Sequence, residues 1–68
     1  MIVKQWLYRE YRIDLQLIGA DFMPYIYEPG NLEKLSYTPV VEMKHGQRAA
    51  EQAAEAFIDT QMEKKNPA

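Results

Sequence analysis

One histidine, one serine, two threonines and no cysteine limit the nucleophilic chemistry this 68-residue chain could assemble. Histidine is the side chain whose unperturbed charge change falls near neutral pH, and the single one, His45, sits in Lys44-His45-Gly46 between two segments of opposite character. A catalytic histidine needs a nucleophile and an orienting partner. Ser36, Thr38 and Thr60 are the only aliphatic hydroxyls, and none lies in a glycine-flanked elbow. His45 therefore reads as a solvent-exposed turn residue. Carboxylates can be paired on paper, Asp14 with a cross-strand Glu or Glu51 with Glu55, but acid–base work needs two groups driven to different pKa values inside a cleft. Glu51, Glu55 and Asp59 recur every fourth residue and read as a solvated helix face that carries some like-charge repulsion. Zinc sites usually combine several Cys or His ligands. The expectation is a non-enzymatic chain with no catalytic residue, no metal site and no cofactor.

The remaining chemistry is aromatic. All five tyrosines fall within the first 37 residues, together with Trp6 and Phe22, whereas five alanines (Ala49, Ala50, Ala53, Ala54 and Ala56) cluster after Gly46. Tyrosine and tryptophan join a large apolar body to a polar tip, which suits them to contact surfaces.

These side chains must be positioned by a small scaffold. Residues 11–17 alternate Tyr11, Ile13, Leu15 and Leu17 with Arg12, Asp14 and Gln16, the period of a strand with one buried face. Ile2 to Tyr8 is β-prone but mixes its faces; it reads as a strand turning near Arg9-Glu10, with a short helix as the alternative. Gly19-Ala20-Asp21 signals a turn. Phe22 to Tyr27 reads as a strand whose Pro24 requires an edge or a bulge. Glu28-Pro29-Gly30-Asn31 matches a type II turn, and Leu32 to Leu35 reads as loop or a single helical turn. Ser36 to Met43 is expected as a last strand, carrying Pro39. Gln47 to Lys64 contains no Gly or Pro and is expected to be helical. Its buried stripe is Ala50, Ala53, Ala54, Phe57, Ile58 and Gln61 or Met62, and its wet side is Glu51, Gln52, Glu55, Asp59 and Glu63. The tail, 65–68, is expected to fray.

The expected fold is thus α+β: one domain over 1–68, with a three- or four-stranded antiparallel sheet drawn from residues 2–43 and one C-terminal helix on one face. A domain of this size has a thin core, with net stability of about 3–5 kcal/mol, so self-association is a ready way to complete it.

Composition restricts the partner. Ten acidic and eight basic residues give a net charge of −2, which argues against nucleic acid held by bulk field. No segment approaches a membrane span. The first residues do not form a secretion signal, so a cytoplasmic location is expected.

The segment Gly46-Gln47-Arg48-Ala49-Ala50-Glu51-Gln52-Ala53-Ala54-Glu55-Ala56-Phe57 resembles the last helix of double-stranded-RNA-binding domains, over about a quarter of the chain. There a glycine precedes a lysine-rich turn, and an Ala-Ala pair packs on the sheet. The resemblance implies RNA binding through that turn. Here the basic cluster is reduced to Arg48 with Lys44, and Glu51 stands where a cation is wanted.

The preferred reading is a small soluble protein-interaction module, an accessory subunit or an inhibitor of a larger assembly. In size and style it is similar to phage and mobile-element inhibitors such as anti-CRISPR proteins. The expected partner-binding residues are Trp6, Tyr8, Tyr25 and Tyr27, with Arg9 and Arg12 as polar anchors. A homo-oligomeric structural protein, a homodimer among its forms, is the alternative, and a nucleic-acid binder using Lys4, Arg9 and Arg12 the further one.

Overall fold

The computed structural model describes residues 1–65. The α+β expectation holds: a four-stranded antiparallel sheet in the order β1 (Ile2–Tyr8), β2 (Tyr11–Ile18), β3 (Asp21–Tyr27), β4 (Val41–Glu42) carries one helix, α1 (Gln47–Lys65). Asn66 to Ala68, most of the expected frayed tail, lie outside the described residues, while the backbone of Lys65 still belongs to the helix.

Two-residue turns join the first three strands. Arg9 and Glu10 both take positive φ, 52° and 72°, as a type I′ hairpin requires, although that turn prefers Asn-Gly. At Gly19-Ala20 only Gly19 is left-handed, at 62°, the type II′ pattern. Leaving β3, the amide of Asn31 donates to the carbonyl of Glu28 at 3.0 Å with Gly30 at φ 75°, the type II turn that Pro29-Gly30 favours.

The expected last strand over Ser36–Met43 shrinks to Val41–Glu42, followed by a single 3-10 turn, Met43–His45. Pro39 withholds one amide, and the chain has already been caught earlier. Lys34 bridges Tyr27, and the amide of Leu35 donates to the carbonyl of Ile26 at 2.8 Å. The long connection thereby crosses the outer edge of β3 twice, at Tyr27 and at Phe22–Val41, with a gap between. Pro24 falls in that gap. Because Ile26 turns its backbone groups outward, so does Pro24, two residues away, and its missing N–H deprives no strand. This meets the edge requirement inside a nominally internal strand.

Alternation divides the sheet. Tyr11, Ile13 and Leu15 of β2, with Phe22, Pro24 and Ile26 of β3, are buried beneath Ala50, Ala54 and Ile58 of the helix. Ala53, Phe57, Gln61 and Met62 are half-buried at its flanks. Small residues at 50 and 54 let the helix lie close to the sheet, while fully buried Ile or Leu side chains contribute about 1.5–3 kcal/mol each. The mixed faces of β1 also have a cause. Ile2 pairs with Gln16 and Lys4 with Leu15, so two residues on β1 span one on β2, a β-bulge. Val3 and Lys4 consequently both reach toward the helix, Val3 into the core around Leu15 and Lys4 to Glu51.

Candidate interaction surfaces

The residues expected to bind a partner fall into two groups on opposite sides of the sheet. Trp6, Tyr8 and Arg9 lie along the seam between β1 and α1. The Lys4 ammonium donates to Glu51 at 2.9 Å, the Trp6 indole N–H to Glu55 at 3.1 Å, and the Tyr8 hydroxyl to both Asp59 oxygens at 3.0 and 3.2 Å. Arg9 also donates to Asp59, at 2.9 Å. A two-residue period on the strand thus meets a four-residue period on the helix. Three rungs result, because two strand residues rise roughly 6.6 Å and four helical residues about 6 Å.

Glu51, Glu55 and Asp59 are therefore not part of the helix's wet side. They are half-buried and face β1, and the repulsion among them is offset by donors from the strand. Two titrations are shifted. The hydrogen bond to Asp59, aided by desolvation and the carboxylate charges of Asp59 and Glu55, raises the Tyr8 hydroxyl above its usual pKa. Hydrogen bonds from Lys4 and then Gln47 hold the Glu51 carboxyl below its usual value. Lys4 also lies 5.0 Å from the Trp6 ring centroid. In this seam Trp6, Tyr8 and Arg9 tie the edge strand to the helix.

Arg12, Tyr25 and Tyr27 lie on the opposite, helix-free face, in two transverse rows. Leu7 pairs with Arg12 and Arg12 with Tyr27; Gln5 pairs with Asp14 and Asp14 with Tyr25. The Arg12 guanidinium stacks 4.1 Å from the Tyr27 ring centroid, and its Nε lies 3.5 Å from Asp14. The Gln5 amide donates to the same Asp14 oxygen at 3.0 Å. Asp14 is only 6% exposed despite its place on the open face. Its cross-strand neighbours are Gln5 and Tyr25, so the carboxylate pair with a Glu does not form. Buried and bonded to Gln5, Asp14 places a carboxylate beside the Arg12 guanidinium that stacks over Tyr27.

Two contributors were missed from sequence. Leu7 stands 71% exposed at the end of its row; the bulged phase of β1 concealed its face. Lys34, from the long connection, lies 5.2 Å from the Tyr25 ring, a contact that no local pattern announces. The other expected features are peripheral. His45 is exposed, 4.0 Å from Glu42. Tyr37 leans on Phe57 at a centroid distance of 6.0 Å over a shallow depression of 160 Å³ lined also by Leu35, Ser36 and Gln61. A second depression, of 240 Å³, borders Met43. Both fall below the roughly 300–1,000 Å³ of small-molecule sites. Among the described residues, no three side chains cluster as metal ligands, and no helix is long and apolar enough to cross a membrane.

The helix packs Ala50 and Ala54 on the sheet as the double-stranded-RNA-binding resemblance implies. No known protein family, curated protein or solved structure matches the chain.

Proposed function

We propose that this chain is a small protein-interaction module, acting as an inhibitor or accessory subunit of a larger assembly, and that it docks through the helix-free face of its sheet. The observation that carries this reading is the preset cluster of Arg12 over Tyr27 and Lys34 over Tyr25, beside the exposed Leu7. Arginine and tyrosine dominate the energetics of protein interfaces because they offer large rigid contact area with polar tips. Here the stacking on Tyr27 and the ion pair with Asp14 favour one Arg12 orientation before any partner arrives, which lowers the ordering cost of association. The face also differs in charge from the whole. The chain carries a net −2, yet the charged tips this cluster offers are Arg12 and Lys34, because Asp14 is already engaged. A partner with an acidic rim fits it. Face-to-face pairing with a second copy would instead bring Arg12 and Lys34 against their own kind.

The test first establishes by light scattering, across a wide concentration range, whether the chain is monomeric, and then places a photo-crosslinking phenylalanine analogue at Tyr25 and separately at Gln52 on the far side of the helix. The module reading expects a single stoichiometric adduct from position 25, lost in a Leu7→Glu, Arg12→Glu variant and absent from position 52. Adducts of the chain with itself, or none that responds to that variant, overturn it.

A further inference from the structure

β1 is an edge strand, paired with β2 on one side only. In a two-residue hairpin the flanking residues, here Tyr8 and Tyr11, exchange backbone bonds, so backbone direction alternates along the strand. Tyr8, Trp6 and Lys4 turn inward to β2, while Gln5 and Leu7 turn their N–H and C=O groups outward. Among the described residues nothing pairs with those outward groups. Natural edges are usually guarded by proline, by a bulge or by an outlying lysine. β1 has no proline, its bulge lies at the far end between Ile2 and Lys4, and its lysine is drawn to Glu51.

Beside this edge runs the acidic row of the helix, and its charges are unevenly answered. Glu51 has Lys4 and Asp59 has Arg9, each at 2.9 Å. Glu55, half-buried between them, has among the described residues only the neutral indole N–H of Trp6. Side chains directly opposite one another on neighbouring strands share a face. A residue added opposite Trp6 would therefore emerge beside Glu55.

We propose that the free edge of β1 captures an extended protein segment as a fifth strand, and that this segment carries a lysine or arginine whose charge meets Glu55. Charge also selects the occupant. A second copy paired antiparallel through β1 would set two Glu51–Glu55–Asp59 rows across one seam, with Lys4 and Arg9 of both copies already engaged. Like charges so placed are destabilising, whereas a basic foreign strand supplies the cation that is missing. The edge uses the backbone of Leu7 but none of Arg12, Tyr25 and Tyr27, and it does not rest on the function proposed for that face.

Random dodecapeptides displayed on phage, selected against the intact chain, provide the test. Glu55→Gln and a synthetic chain N-methylated at Gln5 serve as counter-targets. The first keeps an oxygen for the Trp6 N–H, and the second removes one outward donor while leaving every side chain in place; circular dichroism verifies that both fold. Selected peptides are expected to share a Lys or Arg at one position within alternating β-branched residues. They should lose about five-fold in affinity for Glu55→Gln, fail to bind the N-methylated chain, and slow hydrogen exchange at the Gln5 and Leu7 amides. Four outcomes overturn the proposal: no enriched peptides; peptides without a basic bias or indifferent to Glu55→Gln; peptides that shift Tyr25 and Tyr27 resonances without protecting those amides, which assigns binding to the open face; and amides protected by rising protein concentration alone as the mass doubles, which assigns the edge to a second copy.

Discussion

Glu10 is predicted to be the easiest position at which to stabilise this protein. It occupies the second central position of the β1–β2 turn at φ 72°, exposed, with no hydrogen bond or ion pair among the described residues. A non-glycine residue in the left-handed region costs about 1–2 kcal/mol, and glycine relieves that cost while losing roughly 0.5–1 kcal/mol to its greater freedom in the unfolded chain. Glu10→Gly should therefore gain about 0.5–1 kcal/mol. With an unfolding entropy of about 2.1 cal/mol/K per residue, a 68-residue chain converts that gain into roughly 3–7 °C in Tm. Urea unfolding followed by Trp6 fluorescence measures it, with the midpoint rising and the m-value unchanged. Glu10→Val, β-branched in the same conformation, should shift the midpoint the other way. A Glu10→Gly variant no more stable than the parent, or a Glu10→Val variant equal to it, would mean that the turn does not hold residue 10 in the left-handed region.

Ile58, fully buried between helix and sheet, should cost about 2–5 kcal/mol as Ile58→Ala; against a total of about 3–5 kcal/mol, amide spectra should show much of the chain unfolded at 25 °C. A double-mutant cycle of Tyr8→Phe with Asp59→Ala should return a favourable coupling by urea unfolding, and a coupling near zero would remove that rung from the seam. Folding raises the Tyr8 pKa, so its contribution is complete below the unfolded value and is lost as pH rises through the higher folded one; Tyr8→Phe should flatten the alkaline fall in urea midpoint. Folding lowers the Glu51 pKa, so its contribution is present above the unfolded value and is lost as pH falls through the folded one; Glu51→Gln should flatten the acid limb of the same profile.

Local pattern made the scaffold legible. The Tyr11–Leu17 alternation, the Pro29-Gly30 turn and the uninterrupted helix-forming run from Gln47 each depend on residues within a few positions of one another. They determined a sheet with one covering helix before any contact was known. Alternation within Phe22–Tyr27 likewise puts Tyr25 and Tyr27 on the face opposite Phe22 and Ile26. What tertiary structure alone decided was which of these faces meets the helix, and with it which aromatic residues lie in the helix seam and which on the open face. The Arg9-Glu10 turn pairs Tyr8 with Tyr11 and so sets the phase of β1 from Lys4 to Tyr8, while the one-residue bulge between Ile2 and Lys4 breaks the alternation beyond it, and no periodicity in seven residues reveals that break. That phase sends Trp6 and Tyr8 to the helix and leaves Leu7 outside. Glu51, Glu55 and Asp59 read as solvated because their four-residue spacing is equally that of a wet helix face; their partners Lys4, Trp6, Tyr8 and Arg9 lie 47 to 51 residues away. The β4 error has the same origin. Whether a β-prone segment such as Ser36–Met43 forms a strand depends on the edge it is offered, and Lys34 and Leu35 had already engaged part of that edge. Sequence determines the period and turns of each element, because these are local steric and hydrogen-bonding preferences; the pairing of charges and faces across the chain is fixed only when the elements dock.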